Sequence, residues 1–107
     1  MKSVFYVQNV PLADLELSVQ KLLSDIDASK FDKELAAAGI SRPSGVEFAK
    51  NIEIGVGHGI SPGQWAEIIV AFSPLVAQIG SDLWKIIIVP QLKRIFSEDK
   101  VSNEKPD

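Results

Sequence analysis

The glycine-rich segment Gly55-Val56-Gly57-His58-Gly59 has the residue types and spacing best suited to chemistry in this chain. It follows an alternating, strand-like run and precedes Ser61-Pro62, a pair typical of a helix start. Glycines between a strand and a helix let backbone N–H groups approach a bound anion, as they do in phosphate-binding loops. Gly55, Gly57, His58 and Gly59 therefore form a candidate loop for an anion or a nucleotide.

The spacing of these glycines departs from the known nucleotide-binding motifs. Gly57, Gly59 and Gly63 follow the pattern G-x-G-x-x-x-G, whereas a dinucleotide-binding turn requires G-x-G-x-x-G. The Lys-Ser/Thr pair of a P-loop is missing as well. Glycines also permit positive φ angles in a tight turn between a strand and a helix, and we favour that structural role over anion binding.

His58 is the only histidine of the chain, and it lacks the companions of a catalytic base. A base needs a nucleophile and an orienting partner, and the nearby Ser61 is better explained as a helix N-cap. The absence of cysteine excludes disulfides, thiol catalysis and thiolate metal sites. We therefore predict a non-enzyme with no catalytic residue, no metal and no cofactor. A group of acidic side chains is interpreted as a solvated face: Asp25, Asp27, Asp32 and Glu34.

The elements that would hold this loop include an unusually apolar C-terminal region, residues 61–96, with five charged side chains. Ser61-Pro62 and Ser73-Pro74 both look like helix starts, so the region is predicted as an apolar helix pair or one kinked helix. In the helix predicted from about 74 to 96, apolar residues cover more than half of the circumference, which implies burial on several sides and predicts an interface. The candidate interface residues are Trp65, Ile79, Leu83, Trp84, Ile87 and Ile88.

Part of this region resembles a helix of small accessory domains in bacterial conflict and phage-defence systems. The segment runs from Ser73-Pro74-Leu75 through Ile79-Gly80-Ser81-Asp82-Leu83-Trp84-Lys85 to Val89-Pro90. Those domains are encoded beside, or fused to, effector enzymes and are thought to act as coupling or adaptor modules. The resemblance covers residues 73–90, carries over no functional residue and implies an adaptor-like role in bacterial defence.

A membrane-associating helical hairpin is the alternative interpretation of the same region. Residues 68–81 are uncharged, but as a helix they would span ~21 Å, less than the ~30 Å hydrocarbon layer. A longer segment would include Glu67, Asp82 and Lys85, and charged side chains are costly at mid-bilayer. We therefore expect self-association or a protein partner rather than a membrane.

The N-terminal half supplies the other predicted elements. Lys2–Val10 is predicted as a strand, Leu12–Ile26 as an amphipathic helix and residues 30–38 as a short helix ended by Gly39. Residues 46–56 alternate in polarity and are predicted as one long strand or a hairpin.

These elements predict a single α+β domain over residues 1–96, in the order β-α-α-β-α-α. The sheet would have only two or three strands, and so small a sheet is marginally stable. Dimerisation would complete it by joining two such sheets. Residues 97–107 are predicted as a disordered polar tail.

The composition limits the partners and the location. The 107 residues carry a net charge of −3, which gives no electrostatic footprint for nucleic acid. The first residues lack the long apolar core and the cleavage site of a signal peptide, so a cytoplasmic location is expected.

Overall fold

Four strands form one antiparallel sheet in the computed structural model of this chain, which describes residues 2–42, 44–57 and 65–105. The strands are β1 (Lys2–Gln8), β2 (Ile52–Val56), β3 (Trp65–Phe72) and β4 (Val101–Ser102). Their order across the sheet is β2-β3-β1-β4. Together with the helices, this sheet confirms the predicted α+β class, although it has more strands than the sequence led us to expect.

Three helices of the N-terminal half and one long C-terminal helix accompany the sheet. The first three are α1 (Leu12–Asp27), α2 (Asp32–Ala37) and α3 (Phe48–Asn51). The C-terminal helix has 20 residues and comprises α4 (Ala77–Leu83), a π-helical segment (Trp84–Ile88) and α5 (Val89–Phe96). The main elements follow the order β-α-β-β-α-β, which is that of the ferredoxin-like, or split β-α-β, arrangement. The predicted order β-α-α-β-α-α was wrong, because a helix was expected where β3 lies.

One face of the sheet, the inner face, packs against the helices and forms the core. Cross-strand pairs such as Phe5 with Ile68 place alternate residues of neighbouring strands on the same side. Phe5 is fully buried there against Trp84 of the C-terminal helix, with ring centroids 5.5 Å apart. The buried strand residues of the inner face are Phe5, Val7, Ile52, Ile68, Val70, Phe72 and Val101.

The first two helices form close to where the sequence predicted them. Helix α1 follows Pro11 and buries one stripe at helical spacing: Leu15, Val19, Leu22, Leu23 and Ile26. After α2, Gly39 adopts a φ of 70°, and the Ile40 N–H donates to the Leu35 carbonyl at 2.9 Å. This is the glycine-terminated helix end that the sequence indicated.

The predicted helix pair over residues 61–96 was wrong, because Trp65–Phe72 is a strand between β2 and β1. Its buried residues alternate at Ile68, Val70 and Phe72, as a strand requires. The proposed helix start at Ser61-Pro62 lies outside the described residues. The membrane-associating hairpin fails for the same reason, since its first arm belongs to the sheet. Within the described ranges, no helix is long and apolar enough to cross a membrane.

Residues 46–56 form neither one long strand nor a hairpin. A short helix, α3, precedes β2 because the Asp27 carboxylate caps its first turn. The two Asp27 oxygens accept hydrogen bonds from the Phe48 N–H at 2.8 Å and the Ala49 N–H at 3.1 Å. A cap supplied from a distant helix cannot be read from the local alternation, which explains the error.

The predicted disordered tail over residues 97–107 was wrong for its first part. Val101 is 1% exposed and pairs with Val7, so that β4 forms one edge of the sheet. Val101 is the single apolar side chain of this polar segment, and it fills an inner-face position next to β1. The polar composition of the segment gave no indication that this residue would be buried, which explains the error.

The C-terminal helix passes through Pro90 by widening one turn. The Val89 N–H donates to the Trp84 carbonyl, five residues back, which is the π-helical pattern. A proline ring inside a helix crowds the carbonyl four residues before it and supplies no N–H of its own. The wider turn relieves that crowding, so the helix continues through Pro90, although a proline inside a helix usually kinks or ends it.

Candidate functional site

The sheet has a second face that none of the described helices covers, and we call it the open face. Side chains alternate between the two faces along each strand, so the residues between those of the inner face lie on the open face. None of these residues is buried. The open face consists of Lys2, Val4, Tyr6, Gln8, Glu53, Gly55, Trp65, Glu67, Ile69, Ala71 and Ser102.

Apolar and aromatic side chains occupy the middle of the open face. Val4, on the central strand β1, is 40% exposed and pairs with Ile69 of β3. Ile69 pairs in turn with Gly55, where an added Cβ would meet no atom within 4 Å. Tyr6 and Trp65 lie in the next two cross-strand rows, toward the C-terminal end of β1, and both are partly exposed. Such amphipathic aromatic side chains are enriched at protein interfaces.

The strand residues of the open face include three charged side chains. Lys2 and Glu53 lie in the same cross-strand row, on either side of Ala71. Glu67 lies in the row of Tyr6, and its backbone carbonyl accepts the Gly57 N–H at 2.8 Å. One base against two acids gives this face no affinity for a polyanion, in agreement with the net charge of the chain.

The candidate anion loop is only partly within the described residues, which include Gly55 and Gly57 but not His58 and Gly59. Gly55 lies inside strand β2 rather than in a turn. The Glu67 side chain covers Gly57 so closely that a Cβ there would overlap its carboxylate. A carboxylate in this position repels an anion, so the described part of the loop disfavours phosphate binding.

Most of the candidate interface residues belong to the core of this chain. Leu83, Trp84, Ile87 and Ile88 are each at most 4% exposed, which contradicts their assignment as interface residues. The wide apolar arc of the C-terminal helix did indicate burial on several sides, but the chain itself supplies the cover. Ile79 is half-buried against the core, and Trp65 is half-exposed on the open face.

The indole of Trp84 has an unusual environment for a buried polar group. Its Nε1–H is buried and has no hydrogen-bond partner among the described residues. A buried donor left unpaired costs about 1–3 kcal/mol. Trp84 therefore contributes a large apolar surface to the core and one polar atom that the core does not satisfy.

Three surface cavities lined by described residues have polar side chains that are mostly engaged in the fold. One, of about 480 Å³, lies beside Asp27, Arg42 and Glu47. There the Asp27 carboxylate caps α3, and the Arg42 guanidinium donates to the Ile26 carbonyl. A cavity of about 340 Å³ lies between α2 and the C-terminal helix, lined by Ala37, Ala38, Ile86 and Ile87 among others.

The third cavity, about 290 Å³, lies at the junction of α3, β2 and β3. Its hydroxyl and amide groups bond to one another, with the Ser73 hydroxyl donating to the Asn51 side-chain oxygen at 2.8 Å. The described part of the chain holds no group of three or more histidine, cysteine or acidic residues that could bind a metal ion. These three cavities therefore do not add a second candidate site to the open face.

Sequence reasoning identified Trp65 but missed Val4, Tyr6, Gly55 and Ile69 as parts of one surface. The alternation in Lys2–Gln8 does separate Val4 and Tyr6 from Phe5 and Val7. That signal could not be combined with β3 while β3 was interpreted as a helix.

Comparisons of the chain with protein-family models, with curated proteins and with solved structures found no match.

Proposed function

We propose that this chain is a non-enzymatic, adaptor-like interaction module that associates with a second copy of itself through the open face. The observation that carries the proposal is a four-stranded sheet whose described helices lie on one face only. The uncovered face presents Val4, Tyr6, Trp65 and Ile69 to solvent. Contiguous apolar surface of this kind is stabilised when another protein surface removes it from water.

The size of the open face sets the expected strength of the contact. The four strands have 7, 5, 8 and 2 residues, and at ~3.4 Å per residue and ~4.8 Å between strands they cover roughly 360 Å². Stable complexes bury about 800 Å² per partner, and weaker, transient ones bury less. A contact through this face alone is therefore expected to be weak and dependent on concentration.

A second copy matches two of the three charges of this face, Lys2 and Glu53, and sets the third, Glu67, opposite its own copy. Two sheets stacked face to face lie ~10 Å apart, with their strands close to parallel. A two-fold axis along the strands would bring Lys2 of each copy near Glu53 of the other, because both occupy the same row. The apolar rows would then face each other, with Gly55 and Ala71 leaving space for the larger side chains.

Sedimentation velocity over ~10 to ~500 μM tests the proposal, since this range brackets weak dimers. We expect the unmodified chain to shift from monomer to dimer with rising concentration. Val4→Lys places a charge in the apolar row, at a position that is 40% exposed in the single chain. Because dimerisation would remove this charge from water, the variant should dimerise about tenfold more weakly or worse. Leu17→Lys, on α1 at 71% exposed, is the matched control and should change nothing.

Two outcomes would contradict the open-face proposal. One is a monomer at every concentration. The other is a dimer that Val4→Lys and Leu17→Lys affect equally, because the open face would then have no special part in it.

A further inference from the structure

Strand β2 leaves one edge of the sheet available for pairing. Among the described residues it pairs with β3 alone, whereas β3 and β1 each have a neighbour on both sides. At the opposite edge, β4 has only two residues and follows directly on a 3₁₀ turn. Short strands protect an edge against further pairing, and the five-residue β2 is the longer of the two edges.

The hydrogen bonds beside β2 show which of its backbone groups point outward. The Gly57 N–H donates to the Glu67 carbonyl at 2.8 Å, and the Ser73 N–H donates to the Asn51 carbonyl at 2.9 Å. Residues 51 and 57 therefore direct their backbone groups toward β3. Because this direction alternates along an antiparallel strand, the N–H and C=O groups of Ile52, Ile54 and Val56 point toward the free edge.

We infer that β2 pairs with β2 of a second copy, antiparallel and centred on Ile54, to form a continuous eight-stranded sheet. In this register Ile54 faces Ile54 of the second copy, and Ile52 faces its Val56. Each of these three residue pairs is of the hydrogen-bonded type, so each exchanges two backbone hydrogen bonds. All the outward-pointing groups of β2 are then used.

The side chains of β2 are complementary to themselves in this register. Ile52, Ile54 and Val56 share the inner face, where apolar β-branched pairs stabilise neighbouring strands. Ile54 and Val56 are only half-buried in the single chain, and the added strand would cover them. On the other face, Glu53 lies opposite Gly55 of the second copy, which offers open space and no charge.

The neighbouring two-fold registers are less favourable. A pair centred on Glu53 places the two Glu53 carboxylates opposite each other, and like charges in that position are destabilising. Registers centred on Glu53 or on Gly55 also leave one outward-pointing residue of each strand, Val56 or Ile52 respectively, with no partner inside β2. The arrangement centred on Ile54 is the one that satisfies both the backbone and the charges.

This pairing is independent of the open-face contact, and it enlarges that face. The two open faces become one surface of roughly 720 Å², which approaches the ~800 Å² per partner of a standard interface. Edge pairing and face stacking use different atoms, so either can occur when the other fails.

Two single-cysteine variants, Glu53→Cys and Gly55→Cys, test the register, since the natural chain has no cysteine. Glu53 is exposed and a Cβ at Gly55 meets nothing within 4 Å, so both variants should fold, which circular dichroism would verify. Opposed residues of the non-hydrogen-bonded type have Cα atoms ~4.5 Å apart, within the ~4.4–6.8 Å range of disulfides. We expect mild oxidation to give cross-linked dimer in an equimolar mixture, roughly tenfold more than in either variant alone.

Every other pattern of cross-linking overturns the inference. Dimer formed by Glu53→Cys alone would mean a register centred on Glu53, and dimer formed by Gly55→Cys alone would mean one centred on Gly55. No excess of dimer in the mixture would mean that the β2 edges do not pair. Face stacking cannot mimic the expected result, because stacked sheets are ~10 Å apart, beyond disulfide reach. Adding Val4→Lys to both variants weakens the open-face contact and should leave the cross-linking unchanged.

Discussion

At the scale of the residue, Trp84 combines tight packing with an unsatisfied polar atom. Its ring lies 5.5 Å from that of Phe5 at the centre of the core, and its Nε1–H is buried without a partner among the described residues. The energetic cost of that donor partly offsets the stabilisation from the large buried ring. The two contributions can be separated by mutation.

We expect Trp84→Ala to lower the free energy of unfolding by about 3–5 kcal/mol, because it leaves a large cavity. Trp84→Phe keeps an aromatic ring against Phe5 and removes the unpaired N–H, so it should change that free energy by less than about 1 kcal/mol. Urea unfolding followed by circular dichroism measures both values. A loss of several kcal/mol in Trp84→Phe would mean that the Nε1–H has a partner after all.

At the scale of the element, α3 exists because a side chain from α1 reaches it. A helix of four residues has too few internal hydrogen bonds to be stable alone, and Asp27 satisfies two of its free N–H groups. The cap also fixes where β2 begins, because α3 leads directly into Ile52.

Asp27→Ala should therefore destabilise the fold by about 1–2 kcal/mol, the usual cost of losing a helix cap. Asp27→Asn keeps one acceptor oxygen and should cost less. Glu16→Ala, an exposed position on α1, is the control and should stay within about 0.5 kcal/mol of the natural chain. Equal effects of Asp27→Ala and Glu16→Ala would show that the cap contributes nothing measurable.

The elements differ in how far the sequence alone could specify them. Helix α1 was predictable because its apolar residues repeat at helical spacing and Pro11 marks its start. Strand β3 was not, because its run of uncharged apolar residues suits a buried helix as well as a central strand. Only pairing with β1 and β2 decides between the two, and that pairing joins residues far apart in sequence.

At the scale of the whole molecule, the open face could not be predicted, because it depends on the register of four strands at once. Trp65 was singled out for its size and Val4 was not singled out at all, yet both belong to the same surface. The absence of a catalytic set stays a prediction from sequence. Strand β4, which forms one edge of the sheet, could not be predicted either, because it exists only through its pairing with β1 in the folded chain.

Truncation tests the contribution of that edge. Removing residues 101–107 deletes buried Val101 and uncovers the edge of β1, and it should lower the free energy of unfolding by about 2 kcal/mol. Removing residues 103–107 keeps β4 and should cost less than about 0.5 kcal/mol, since Asn103, Glu104 and Lys105 are exposed. Thermal unfolding of both truncated chains measures the difference. Equal melting temperatures would contradict a structural role for β4.

The central pairing of β1 with β3 has a further consequence for how the chain folds. Phe5 and Ile68 are opposed in the sheet but lie about sixty residues apart in sequence, so a long loop must close before they meet. The helices can form early and locally, whereas the pairing that unites the sheet carries the entropy of that closure. Folding should therefore take milliseconds or longer rather than the microseconds of a helical bundle, and its transition state should be reached when β1 meets β3.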